Sequence, residues 1–190
     1  MKLIYLDTET TGVDCNRHAI VQIAGVVVAE DGSETEFNLE MQPFKGAAIE
    51  RQALWKNKYS LEELSKFQTS EAAFEKFDAM ISAAVDRYNK QDKLYVVGYN
   101  SVFDVGFVRE WYKRNGNEFY GSFFHNPPLD VMQLAAWAMV GKRFTLPDFR
   151  LVTVYEAVMG KPLEEAHDAL VDIKATRELA SELFKKLRYE

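Results

Sequence analysis

Leu3, Ile4, Tyr5 and Leu6 form an unbroken apolar run, and it constrains the fold of this chain more than any other feature. A strand that is apolar on both faces needs cover on both faces, so it belongs inside a helix-covered sheet rather than a one-sided one. The strand, read over Lys2–Asp7, delivers Asp7 to its end with Glu9 just beyond. A second strand is expected over Ala19–Ala29, which is rich in β-branched residues, and a third over Glu34–Glu40, where Phe37 and Leu39 alternate with polar neighbours. Glu30-Asp31-Gly32 is the turn between them, so the opening reads as an antiparallel meander.

Helices follow. Ser60-Leu61-Glu62-Glu63 has the capping-box pattern. Ser70 is expected to cap a helix carrying Phe74, Phe77, Ile81, Ala84, Val85 and Tyr88 inward. Leu94–Gly98 is a short buried strand, Phe103–Asn115 a helix stopped by Gly116, and Pro128–Val131 a short strand leading into a helix over Met132–Val140. Pro147 opens a helix over Asp148–Met159 that stops at Gly160. The last helix runs from Asp168 to Leu187, with Ala169, Leu170, Ile173, Thr176, Leu179, Ala180, Leu183 and Phe184 inward. The class is α/β: a five-stranded mixed sheet, three antiparallel strands and then parallel ones, flanked by helices.

Composition narrows the function. A chain of 190 residues, 47% hydrophobic, reads as one domain over 1–190 that needs no staple. Its only cysteine is Cys15, which excludes a disulfide framework and a zinc finger. No apolar run approaches the ~18 residues of a membrane span. The N-terminus lacks the marks of a secretion signal, so a cytoplasmic protein without membrane contact is expected. The formal charge of −6 makes the chain a poor non-specific phosphate binder. Any dealing with nucleic acid therefore needs cations or a local basic rim.

Three clusters carry chemistry. Asp7 and Glu9 are spaced i, i+2 and point to the same side of a strand, where they repel unless hard cations neutralise them. Oxygen-only ligands suit Mg²⁺ or Mn²⁺. Thr10-Thr11-Gly12 follows, with Gly12 permitting a tight turn. By itself this element also reads as a solvated turn. Asp104 sits at the mouth of the next parallel-type strand, where open α/β sheets bind ligands, or else serves as a first-turn helix residue. His167 stands just before the last helix. Asp172 lies in its first turns among Leu170, Val171 and Ile173, where a carboxylate needs a partner. A neutral imidazole there can take a proton from water. The bland alternatives are a surface histidine and an exposed helical aspartate.

Taken together, Leu6-Asp7-Thr8-Glu9-Thr10-Thr11-Gly12, Asn100…Phe103-Asp104 and His167-x4-Asp172 resemble the DEDDh 3′–5′ exonuclease superfamily, which includes polymerase III epsilon-type proofreading subunits, ribonuclease T and oligoribonuclease. Ile20-Val21-Gln22-Ile23-Ala24, Leu129-Asp130-Val131 and Leu146–Gly160 resemble it more loosely. A sister subclass places Tyr four residues before the last Asp. Here that position holds Asp168, which favours the histidine subclass. Gln22 replaces a frequent Glu and Tyr99 a frequent His, departures that bear on substrate preference more than on chemistry.

The resemblance implies a ribonuclease H-like fold. It also implies stepwise hydrolysis from the 3′ end of single-stranded DNA or RNA with two divalent cations, Mg²⁺ or Mn²⁺. By that analogy Asp7 bridges the ions, Glu9 and Asp172 complete one site, Asp104 serves the second, and His167 is the general base. Backbone N–H groups around Thr8 and Thr10 are expected to hold the terminal 3′-hydroxyl, with Asn100 among the substrate contacts. Val13 reads either as a wedge against the last base or as a core residue, with the core preferred. Lys142 and Arg143, beside Phe144 with Arg150 beyond, form a candidate basic rim, or else a solvated loop with Phe144 anchored in the core. An endonuclease of the same fold and a catalytically silent nucleic-acid-binding module are the alternatives. The chain ends just after its last helix, which suggests a free-standing nuclease, or a subunit held by its folded surface in a homodimer or by a polymerase or other replication partner.

Overall fold

The computed structural model describes residues 1–164, 166 and 168–188. Strands β1 (Lys2–Thr10), β2 (Ile20–Val28) and β3 (Glu34–Glu40) form the antiparallel meander, with Leu3 opposite Val28 and Asp7 opposite Ala24. Strand β4 (Leu94–Gly98) runs parallel to β1 on its other side, and the two-residue β5 (Leu129–Asp130) parallel to β4. The sheet order is β3-β2-β1-β4-β5, which puts β1 in the centre. Gly25 is required beside it: a Cβ there would stand 2.1 Å from the carbonyl oxygen of Tyr5.

The pleat of β1 divides the apolar run between two cores. Ile4 and Leu6 enter the cluster built by α3 (Ser70–Ala84) and α4 (Ser101–Arg114), with Phe77, Ile81, Phe107 and Trp111. Leu3 and Tyr5 pack with α6 (Val131–Ala138), α7 (Leu151–Met159) and α8 (Ala169–Arg188), through Ala135, Val154, Leu179 and Leu183. Short helices α1 (Arg51–Lys56), α2 (Leu61–Leu64) and α5 (Tyr120–Phe123) fill the connections. Among the described residues no helix is long and apolar enough to cross a membrane.

The five-stranded mixed sheet is the expected one, and the differences have local causes. Strand β1 continues past Asp7 to Thr10 because β2 keeps pairing with it, through an irregularity between Glu9 and Thr10. Thr69, not Ser70, caps α3 by accepting the Ala72 N–H. Helix α7 starts at Leu151 rather than Asp148, because Asp148 Oδ1 accepts the Arg150 N–H and the Thr153 hydroxyl and so closes a turn ahead of the helix. Tyr88 lies beyond the end of α3 and is exposed. Phe184 is also exposed, at the rim of an apolar groove beside Leu3, Tyr5 and Leu129, and not in the core.

Candidate active site

The sheet brings the acidic motifs to one end. Asp7 and Glu9 come from the end of β1, Asp104 from the first turn of α4, and Asp172 from the first turn of α8. Carboxylate oxygens of Asp7, Glu9 and Asp172 all lie within 4.8 Å of one another. Asp104 is 2% exposed, and its Oδ1 accepts both the Thr8 N–H at 3.0 Å and the Thr8 hydroxyl at 2.7 Å. The four acids line a cleft of about 570 Å³.

Their electrostatics are those of a cluster short of positive charge. Burial pushes Asp7 well above the usual carboxylate range, and the charges of Asp104, Glu9 and Asp172 push it further. Glu9 is raised to about 7, first by burial and then by Asp172. Asp104 is raised to about 7 by burial, against the lowering effect of the two Thr8 hydrogen bonds. Lys56, at the end of α1, offsets part of this at Asp7 and Glu9. An all-oxygen donor set, crowded and destabilised as anions, fits hard divalent cations.

One wall of the cleft is the loop after β1. The Thr10 hydroxyl donates to the Gly12 carbonyl, and the Thr11 hydroxyl to the Ala48 carbonyl, both at 2.7 Å. Gly12 lies flat on the buried His18 ring, where a Cβ would stand 2.4 Å from ring atoms. His18 Nδ1 accepts the Asp14 N–H at 3.1 Å, and its Nε2 faces Glu50 Oε1 at 3.2 Å. Asn57 donates from Nδ2 to the Thr10 carbonyl at 3.0 Å, docking the end of α1 on the loop.

The expected residues sort clearly by place. Asp7, Thr8, Glu9, Thr10, Val13, Asn100, Asp104 and Asp172 line the one cleft. Val13 is 75% exposed there and is not a core residue, because the Gly12 turn carries it out to the lip. Thr8 lines the cleft without a donor to offer substrate, since both its N–H and its hydroxyl are spent on Asp104. Asn100 takes a left-handed conformation (φ 64°), and its N–H donates to Asp130 Oδ1. Lys142 is not brought to the cleft. It lies beside Leu183 and Lys186, and at ~1.5 Å per helical residue that part of α8 is roughly 16–21 Å from Asp172. Phe144 is 97% exposed, so it does not anchor that loop in the core. His167 and the side chain of Arg143 lie outside the described residues. Sequence reasoning missed the wall made by α1, with Gln52, Lys56 and Asn57. The signal available was a cluster of cations, Arg51, Lys56 and Lys58, which does not single out Lys56.

The family model described as Exonuclease (RNase_T) matches residues 4–180. The chain belongs to this exonuclease family. Ribonuclease T of Haemophilus ducreyi is 25% identical over 97% of the chain and 86% of its own length. PolC-type DNA polymerase III of Pediococcus pentosaceus is 25% identical over 94% of the chain, which spans only 11% of that polymerase. Escherichia coli Exonuclease I, solved in complex with a dA16 oligonucleotide, shares the fold with a TM-score of 0.74 at 21% identity, over 97% of this chain and 40% of the other. The exonuclease-family sheet accounts for the ribonuclease H-like topology, and the acidic cleft is what this chain places at the end of it.

The charge crowding has a consequence for stability. In the unfolded exonuclease chain Glu9 and Asp104 ionise near 4.5 and 3.8, whereas in the folded one both hold a proton to about 7. The folded state therefore binds more protons between those limits, and metal-free stability falls as pH rises through the window. The melting temperature in EDTA is expected to drop from pH 5 to pH 7.5, with Mg²⁺ recovering most of the loss at the upper end. A flat profile in EDTA over that range would contradict the assigned crowding.

Proposed function

We propose that residues 1–190 form one 3′–5′ exonuclease domain that removes nucleoside 5′-monophosphates from the 3′ end of single-stranded DNA or RNA. The observation that carries the proposal is the cluster of Asp7, Glu9 and Asp172, with oxygens within 4.8 Å, in a cleft that Asp104 also lines. Two Mg²⁺ or Mn²⁺ ions on these four carboxylates would supply charge neutralisation for the phosphate oxygens and an acidified water.

The chain's own groups have separate tasks. Asp7, Glu9 and Asp172 hold the cationic charge, and Thr8 fixes the orientation of Asp104. His167, adjacent in sequence to the start of α8, is the group for accepting the proton of the attacking water. Val13, exposed at the lip, offers an apolar surface to the last base. Lys56 brings the cleft its positive charge from α1. Recognition concentrated at one cleft also answers the net charge of −6, since a long basic track is not required. The Exonuclease I complexes with dA16 and dT13 support single-stranded DNA as a substrate, and the likeness to ribonuclease T supports RNA.

The test is digestion of 5′-labelled DNA and RNA oligonucleotides of matched sequence, with a free or a blocked 3′ end, in Mg²⁺ and in Mn²⁺. The expected result is a ladder of products shortened from the 3′ end that vanishes on blocking. Internal cuts that survive blocking would make the chain an endonuclease, and binding without cleavage would make it a binding module.

A further inference from the structure

Gln22, the third residue of β2, is 2% exposed and does not line the cleft. Its side-chain amide is nevertheless fully engaged. Oε1 accepts the Ala169 N–H at 3.2 Å, while Nε2 donates to Asp168 Oδ2 at 3.2 Å and to Asn38 Oδ1 at 3.1 Å. These partners fix which end of the amide is oxygen, because a backbone N–H can only donate and a carboxylate only accept. Asp168 uses its other oxygen, Oδ1, to accept the N–H groups of Leu170 at 3.0 Å and Val171 at 3.1 Å. One carboxylate thus caps α8 and ties the cap to the central region of the sheet.

The stretch before it is held as well. Lys58 Nζ donates to the Ala166 carbonyl at 3.3 Å. Lys58 does this from a left-handed backbone conformation, φ 61°, which is costly for any residue with a Cβ. Separate elements therefore grip Ala166 on one side of position 167 and Asp168 and Ala169 on the other. Asp172, whose own N–H donates to the Asp168 carbonyl, follows one turn later.

We propose that Gln22, acting through Asp168, is a positioning residue of the exonuclease site. The neutral amide fixes the start of α8 on β2 and so sets the third acidic motif against the first. The inference deepens the function proposed above and rests on it. Its chemical basis is complementarity: the partner of residue 22 is a carboxylate, so residue 22 must donate. A glutamate there would set two carboxylates face to face and remove both donors. An asparagine at 168 would cure that fault, since it caps a helix as well as aspartate and brings its own N–H donors. Asn38 would then present its amide nitrogen to the new carboxylate.

Three variants test this beside wild type: Gln22→Glu, Asp168→Asn and the pair together. Each is read by kcat and KM on a 3′-hydroxyl oligonucleotide, by Mn²⁺ affinity in calorimetry and by melting temperature. Gln22→Glu is expected to lower kcat by about 10–100-fold, the usual effect of displacing reacting groups by an ångström or less, with KM within about 3-fold. Mn²⁺ affinity should fall about 10-fold or more, the usual scale for removing an outer support of a metal ligand. The double variant should regain most of both losses, although it carries one more substitution. Recovery of melting temperature without recovery of kcat or Mn²⁺ affinity would reduce the contact to a fold support and overturn the inference. So would a Gln22→Glu variant with wild-type kcat. If wild type itself digests nothing, the proposed function is what fails, and the inference falls with it.

Discussion

Asp7→Asn is expected to abolish hydrolysis of every substrate and, in EDTA at pH 8, to raise the melting temperature. The two effects have one origin. Asp7 is held well above the usual carboxylate range, through burial first and then through Asp104, Glu9 and Asp172. Charging it means burying an anion among three others with only Lys56 in partial compensation, and asparagine keeps the shape while removing the charge. Relief on the order of 2 kcal/mol is reasonable for one member of such a cluster, which for a chain of this size corresponds to roughly 4–8 °C. With Mg²⁺ the order should reverse, because wild type gains from binding and the variant has lost its central ligand. Thermal unfolding of both proteins, with EDTA and with Mg²⁺, checks the stability half, and the oligonucleotide ladder checks the other. Wild type that melts identically in both buffers, together with an active Asp7→Asn, would remove the metal site.

His167→Ala is expected to lose ~10²–10⁴-fold in kcat, the usual worth of a positioned base. Binding of Mn²⁺ and of oligonucleotide should change little, since all four carboxylates remain. The residual rate should recover at higher pH, where hydroxide makes a base less necessary. Single-turnover measurements across pH separate the chemical step from product release. A variant that keeps the wild-type rate and profile would show that the third motif supplies Asp172 alone. One in which Mn²⁺ affinity collapses would assign His167 to holding the site rather than to proton transfer.

Much of this was legible in the sequence, and the limits have physical causes. The run Leu3–Leu6 announced a strand covered on both faces because no polar residue interrupts it, and its side chains do divide between two cores. Asp172 was legible because Leu170, Val171 and Ile173 leave an aspartate in need of a reason to be there. Val13 misled, since an apolar residue after a glycine suggests the core, whereas the Gly12 turn on His18 throws it outward. Helix α1 was invisible: it has six residues, no side-chain cap from Glu50, and one buried residue, Leu54. With it went Lys56 and Asn57. The pairing of basic residues with Phe144 described a contact surface but carried no information about where the fold would put it, and Lys142 lies along α8 from the acids. Gln22 looked like a departure bearing on substrate. Its hydrogen bonds turn it instead toward the start of α8, a relation between residues 147 apart that no local pattern reports.

That separation also orders events in time. The meander β1–β3 pairs neighbouring segments and can form from local contacts, whereas the link from Gln22 to Ala169 closes a span of 147 residues and must wait for α8. A chain that has made this meander but not seated its last helix therefore possesses Asp7 and Glu9 without Asp172. It has folded bulk and no working centre. Under the function proposed above, hydrolysis would have to await the seating of α8, because only then does Asp172 join Asp7 and Glu9.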